Sequence, residues 1–374
     1  MMTAAERIMD TFNTLHHHPE ISWEEQNTTR YLAELLAEYD CRVTAFADHT
    51  GVIGELGQGR PVVAVRADID ALRQMVDGEL RAVHSCGHDA HMSMAIGALH
   101  ELKQQGELPA GTIRFIFQPA EEQGNGALRL VDAGVADDVD YLFGVHLRPI
   151  QELPTGVAAP AIVHGAGCFL KGRIIGEDLH AARPHLGVNA IEVGAALVQM
   201  IGGIRLDPAV PHSAKLTSFE AGGQSPNIIP GSASFGIDLR AQTNEMFSAL
   251  LQAVEQKMKA ASALYGGVRI ETEQKALLPA AEVDPDAKRI LASAITSVLG
   301  PGALAPPVVT PGGDDFHYYT IRRPRIKAAM LGLGCNLSPG LHHPKMTFDH
   351  DMMIKGAAIL SKAVTLTFRE GEGA

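Results

Sequence analysis

The chain has 374 residues, 46% hydrophobic and 20% charged, with a formal net charge of −12. That length and apolar content suit about two packed domains. The acidic balance argues against binding nucleic acid through phosphate, and no apolar run reaches the ~18 residues of a membrane span.

The N-terminal stretch from Met1 to Asp10 carries Glu6, Arg7 and Asp10 in a helical pattern and lacks the apolar core of a signal peptide. Helices are expected over 3–15 and 24–39, then strands over 51–56 and 61–65. A helix over 91–105 follows, with Met92 and Met94 on its core stripe. Strands over 112–117 and 141–146 continue an alternation that reads as an α/β sheet with helices on both faces. From residue 167 the order changes: strand 169–175, helix 190–204, strands 214–220 and 232–239, helix 245–264, strand 268–273. This β-α-β-β-α-β order is the ferredoxin-like signature. It is read as a small domain over 167–274, inserted into a larger one formed by 1–166 and 275–374. The larger domain resumes with a Pro/Gly-rich loop over 301–311 and helices near 286–298 and 352–368. Cys41, Cys86, Cys168 and Cys335 form no close-spaced set. A reducing cytoplasm is therefore the expected location, with Cys41, Cys168 and Cys335 as small buried hydrophobes.

The octet His84-Ser85-Cys86-Gly87-His88-Asp89-Ala90-His91 gathers three histidines, a cysteine and an aspartate. Thiolate, imidazole and carboxylate are the groups that bind borderline-soft divalent metals. Cys86 and His88 can face one ion from the end of a strand or loop. In a chain with 17 histidines the competing reading is accidental bunching. Pro119-Ala120-Glu121-Glu122-Gln123-Gly124 follows the 112–117 strand. Paired acids there can divide labour, one binding metal and its neighbour taking a proton from water. The alternative is a solvated acidic turn or a helix N-terminus. His146 ends an apolar strand, as a ligand or as a satisfied core or edge histidine. His342-His343-Pro344 follows the Gly-rich loop Gly332-Leu333-Gly334-Cys335-Asn336, and loops at strand ends are where open α/β sheets keep their chemistry. Asp68 and Asp70 close the Val62-Val63-Ala64-Val65 strand, as supports that orient ligands or as a plain strand-end turn.

These segments belong to an ordered set that runs nearly end to end. It begins with Leu15-His16-His17-His18-Pro19-Glu20-Ile21-Ser22-Trp23-Glu24-Glu25 and Arg66-Ala67-Asp68-Ile69-Asp70-Ala71-Leu72, then the octet, Pro119 to Gly124 and Gly144-Val145-His146. It continues with His180-Ala181-Ala182-Arg183-Pro184-His185, Asn227-Ile228-Ile229-Pro230, Gly313-Asp314-Asp315-Phe316 and Leu341-His342-His343-Pro344. The set resembles the hippurate hydrolase, aminoacylase and auxin-conjugate hydrolase group of binuclear metallo-amidohydrolases, most closely its bacterial amidohydrolases. The resemblance implies two divalent ions per subunit (Zn or Mn, with Co or Ni as alternatives) on Cys86, His88, Glu122, His146 and His342. It implies Glu121 as general base and His180 as a lid histidine that polarises the scissile carbonyl. It implies Asn227 and Arg240 as the part of the lid that recognises the substrate carboxylate. Asp68 and Asp70 then read as supports behind the ligands.

The implied reaction splits the amide bond of an N-acyl amino acid into a carboxylic acid and an amino acid. The implied assembly is a homodimer through the inserted lid domain, with no nucleic-acid or membrane partner. The runner-up is a dipeptidase or carboxypeptidase of the same metal chemistry. From other classes come a cysteine hydrolase built on Cys86 and a non-catalytic relative that binds a small ligand. The chain departs from the group in several places: Asp178-Leu179 stand where Gly-Gly is usual, Arg73 replaces a proline, and Asp314 replaces a glutamate. The segment 73–83 is shorter than usual, carries Asp77, Glu79 and Arg81, and is expected to border the substrate.

Overall fold

Four strands, Gly111–Gln118, Val62–Asp68, Tyr141–Pro149 and Lys327–Leu337, are buried along nearly their whole length. In the computed structural model they lie side by side in that order and run parallel, at the centre of a seven-stranded sheet. Parallel strands covered on both faces read as near-continuous apolar runs, which is what these sequences are. Val52–Gln58 and Arg42–Ala45 extend the sheet antiparallel on one side, and Ala158–Ala159 on the other. The structure describes residues 2–106 and 110–371. Met1, where the helical N-terminal pattern begins, lies outside them.

Two cores sit on the two faces of this sheet. Val63, Val65, Phe115, Phe117, Phe143 and Val145 point to one, and Val62, Ala64, Ile116 and Leu142 to the other, following the period of two along a strand. The first core is closed by the His88–Gln104 helix, which packs against Ala4–His17 and Asp351–Gly371. Met92 and Met94 are fully buried there. That helix starts at His88, earlier than the expected residue 91, because Gly87 takes a left-handed conformation (φ 86°) as its N-cap residue. Three features stand apart from the sequence expectation. Residues 332–336, read as a Gly-rich loop, lie within the strand Lys327–Leu337. Residues 72–83 form a hairpin of Leu72–Val76 with Glu79–Val83. The 301–311 loop contains a short 3₁₀ turn, Pro301–Ala303, and a short strand, Val308–Thr310.

The chain divides into two units. The first comprises Met1–Val163, Glu282–Val309 and Asp315–Ala374; the second comprises His164–Ala281 and Thr310–Asp314. The second unit holds an antiparallel sheet in the order His212–Ala221, Ala233–Ala241, Ala166–Ile175, Arg269–Leu278. Helices Ala190–Gly202 and Asn244–Leu264 complete the expected β-α-β-β-α-β succession. Along Ala166–Ile175, Cys168, Leu170 and Ile174 are buried and Phe169, Lys171 and Arg173 exposed, so one face carries the unit's core. Asn189 and Thr243 cap the two helices through their side chains. Among the described residues no helix is long and apolar enough to cross a membrane.

Candidate metal centre

The carboxyl ends of the four parallel strands deliver the acidic and imidazole groups, the usual place for chemistry in an open α/β sheet. Asp68 ends one strand, Glu121 and Glu122 follow another, His146 lies near the end of the third, and His342 follows the fourth. Cys86 and His88 flank Gly87 at the start of the helix. Donor atoms of Cys86, His88 and His146 gather within 4.8 Å of one another, as do those of Cys86, Glu122 and His342, and those of His88, Glu121 and Glu122. Cys86 Sγ stands 3.5 Å from His146 Nε2, and Glu122 Oε1 lies 3.4 Å from His342 Nε2 and 3.9 Å from His88 Nε2. His343 turns away, its Nδ1 accepting from Lys345 N at 3.1 Å. His84, in the same octet, is buried and stands outside these groups.

Hydrogen bonds to the backbone fix the ring tautomers. His88 Nδ1 lies 2.8 Å from the Asp70 carbonyl and His146 Nδ1 2.7 Å from the Leu147 carbonyl. A carbonyl only accepts, so both rings carry a proton on Nδ1 and turn Nε2 towards the cluster. His91 is bonded at both nitrogens, donating to Asp68 Oδ1 at 2.7 Å and accepting from Leu147 N at 3.1 Å. Behind the cluster, the fully buried Arg66 donates to Asp68, Gln118 and Asp315 at 2.6, 2.9 and 3.0 Å. Asp70 accepts from Glu121 N, Glu122 N and Ser22 Oγ at 3.1, 3.0 and 2.6 Å. The hairpin also reaches this region: Gln74 Nε2 donates to the His342 carbonyl at 2.8 Å, and His342 N donates to Ser85 O at 2.7 Å.

The donor set suits divalent cations on two counts. His88 Nε2 and Glu122 Oε1 are buried polar atoms with no hydrogen-bond partner, and leaving such atoms unpaired is costly unless something else meets them. The electrostatics also favour positive charge. The neighbouring Cys86 thiol and Glu122 carboxylate push His342 up to about 10. Burial pushes His88 down, but Asp68, Cys86 and Asp70 together carry it well above the usual imidazole range. His146 is held well below that range by burial and by His91, so its lone pair is available. Burial, with Glu122 beside it, raises the Cys86 thiol.

The other sequence-derived residues lie in the second unit. His180 pairs with Ile228 in a short two-stranded ladder, and Ala181 N donates to the Asn227 carbonyl at 2.8 Å, so His180 and Asn227 are neighbours. His180 Nδ1 accepts from Ala182 N at 3.0 Å, which leaves the neutral ring protonated on an exposed Nε2, the reverse of the tautomer at His88 and His146. Asp178 braces this loop by accepting from Gly231 N at 3.0 Å. Arg240 lies on the Ala233–Ala241 strand and is paired with Asp238 at 3.1 Å. The supporting roles of Ser22, Arg66, Gln74, His91 and Asp315 were not read from the sequence. Their one visible signal was that all but Gln74 fall within the quoted segments.

Comparison with known proteins matches residues 64–366 to a model of peptidase family M20/M25/M40. The chain is 32% identical over 371 residues to the N-acetylcysteine deacetylase of Bacillus subtilis, covering 93% of each chain. It is 32% identical over 370 residues to IAA-amino acid hydrolase ILR1-like 6 of Arabidopsis thaliana, covering 92% of this chain and 77% of that one. Among solved structures, a dinuclear metal-binding peptidase of the M20 family from Bacillus subtilis superposes with a TM-score of 0.81 at 27% identity, over 98% of this chain and 99% of the other. With a matching fold, a matching family model and a cluster of metal-binding donors at its strand ends, the chain belongs to peptidase family M20/M25/M40.

Proposed function

We propose that the protein is a metal-dependent amidohydrolase that cleaves N-acyl amino acids to a carboxylic acid and an amino acid. The observation that carries this reading is the convergence of Cys86, His88, Glu122, His146 and His342 with Glu121 alongside. Two divalent ions, zinc or manganese, would be held by those five residues, with the second carboxylate of the pair, Glu121, serving proton transfer. When bound, such a pair acidifies a water and polarises the substrate's acyl oxygen. Glu121, with Oε2 3.9 Å from His88 Nε2, accepts the proton of the attacking water and returns it to the leaving amine nitrogen. His180, protonated on its exposed Nε2, donates to the oxyanion. Asn227 and Arg240 recognise the substrate carboxylate, and Asp68 and Asp70 orient the ligands. N-acyl amino acids are the favoured substrate class because relatives are named N-acetylcysteine deacetylase and IAA-amino acid hydrolase.

The second unit, as a lid and dimerisation domain, completes the reading. Its edge strand His212–Ala221 has a sheet partner on one side only. The nearby helix Ala190–Gly202 exposes Ile191 and Val198 by 48% and 50%. A free edge beside an apolar helix face suits a self-complementary contact. The test of function is a panel of N-acetyl, N-benzoyl and indole-acetyl amino acids together with dipeptides, assayed before chelation, after it, and after return of Zn²⁺ or Mn²⁺. Hydrolysis of N-acyl amino acids that is lost on chelation and regained with metal is the expected result. Turnover that persists in chelator, or that is confined to dipeptides, overturns it.

A further inference from the structure

Three consecutive backbone amides lead through the acidic turn, and each is held by a buried carboxylate. Glu121 N and Glu122 N donate to the two oxygens of Asp70. The amide before them, Ala120 N, donates to Glu25 Oε1 at 2.9 Å. Glu25 is fully buried, and its other oxygen accepts the Thr50 hydroxyl at 2.6 Å. Local structure does not account for this use of the side chain. Glu25 is the N-cap residue of the Gln26–Glu38 helix, yet its carboxylate makes no capping bond, although capping is the common task of an acidic side chain at that position. It is turned instead to a segment 95 residues away.

The turn needs such a hold. Ala120 adopts φ 49°, a left-handed conformation that a residue with a Cβ ordinarily avoids. The surroundings are tight: a Cβ at Gly126 would fall 1.6 Å from the Pro119 carbonyl oxygen, and one at Gly51, next to Thr50, 2.6 Å from Pro119 Cδ. The strained residue therefore immediately precedes Glu121, and the Glu25 bond is on its own amide.

We propose that Glu25 is a positioning residue for hydrolysis: it locks the backbone of Ala120 so that Glu121 is presented in a fixed direction, while Asp70 holds the two residues that follow. This rests on the reading of Glu121 as general base. Burial pushes the Glu25 carboxyl up to about 7, against the bonds from Thr50 and Ala120 and with a further push from Asp70. A neutral side chain of the same shape can accept the Ala120 amide as well, so shape is the requirement and charge is not.

The experiment compares Glu25→Asp, Glu25→Gln, Glu25→Asp with Ala120→Gly, and Glu121→Gln, each metal-loaded and assayed on an N-acetyl amino acid hydrolysed by the wild-type enzyme. Aspartate is too short to reach both Ala120 N and Thr50 Oγ1. Glu25→Asp should lower kcat about ten- to a hundredfold, with KM within about twofold of wild type and full metal content, as expected when a reacting group is misplaced. Glu25→Gln should keep kcat within about threefold, since its amide oxygen still accepts the Ala120 N–H while its amide nitrogen donates to Thr50 Oγ1, reversing that bond. Adding Ala120→Gly to Glu25→Asp should recover part of kcat, because glycine takes the positive φ without a brace. Wild-type kcat in Glu25→Asp, a loss in Glu25→Gln equal to that in Glu25→Asp, or no recovery with Ala120→Gly would each overturn the proposal. If Glu121→Gln keeps its turnover, the general-base reading fails whatever Glu25 does. If Glu121→Gln is inactive while Glu25→Asp is normal, only the role of Glu25 fails.

Discussion

At the scale of single residues, the protein separates two kinds of histidine by what each Nδ1 touches. His88 and His146 give Nδ1–H to backbone carbonyls and offer Nε2 as a ligand, whereas His180 accepts at Nδ1 and offers Nε2–H as a donor. Glu121→Gln should therefore leave the ligand set filled and lower kcat about 10²–10⁴-fold. Metal analysis and rate measured on one preparation check this, and near-normal turnover would remove Glu121 from the base role. Cys86→Ser and His342→Ala should each lower metal content, serine being a poor ligand for borderline-soft ions, while His343→Ala should not, since His343 is turned towards Lys345. The reverse result for the two histidines would shift the assignment by one residue. Residue types and their order made this donor set legible in the sequence. Tautomers and buried carboxylates were not legible, because they depend on which carbonyl or amide the fold brings alongside. Glu25 illustrates this: nothing local marks it as buried, yet burial sets its carboxyl at about 7 against an ordinary 4.5. A carboxyl raised on folding costs nothing below 4.5, and its penalty grows between 4.5 and about 7 and stays constant above. Glu25→Gln should accordingly gain stability over wild type at pH 8 but not at pH 4, by on the order of 3 kcal/mol. Urea unfolding of both proteins at the two pH values checks the sign.

At the scale of elements, the sheet was the most legible part and its internal wiring the least. Short apolar runs announced three of the four buried parallel strands, and a strand over 169–175 was read for the second unit; the fourth parallel strand, Lys327–Leu337, escaped because its glycines at 332 and 334 look like a loop. The hairpin over 72–83 escaped because none of its strand residues, Leu72–Val76 and Glu79–Val83, is buried and they carry no core pattern. The start of the long helix was misplaced because the octet looks like a polar loop, while Gly87 in fact begins a buried helix within it. What no periodicity reveals is a charged residue in the middle of a buried strand. Arg66 lies at the interior of Val62–Asp68 and joins three elements through Asp68, Gln118 and Asp315. Asp315 also accepts from Gln118 Nε2 and Ala127 N at 2.7 and 2.9 Å, so it ties the Gly126–Asp132 helix to the sheet. Asp315→Ala would leave Arg66 with Asp68 as its carboxylate partner and Ala127 N without its acceptor, at a cost of about 1–3 kcal/mol in chemical denaturation. It should also weaken metal retention, since Asp68 would lose part of its support. A loss below about 1 kcal/mol, the value of an exposed pair, would mean that Arg66 is satisfied without it.

At the scale of the whole molecule, the proposed reaction draws on residues from both units, Glu121 and the ligands from the first and His180 from the second. Pairing of the second unit with its copy through the His212–Ala221 edge and the Ala190–Gly202 helix is the proposed route to a dimer. Domain closure that brings a donor to the substrate and excludes water is a common solution, and symmetry allows that donor to come from the neighbouring subunit. The expected outcome is a homodimer in sedimentation and a histidine that acts in trans. Glu121→Gln and His180→Ala homodimers should both be nearly inactive. In their statistical mixture, only mixed dimers regain one working site, the one that joins the Glu121 of one chain to the His180 of the other. Activity should then recover to about a quarter of wild type. No recovery after subunit exchange has been verified would assign His180 to its own chain's site. A monomer at assay concentration would exclude action in trans.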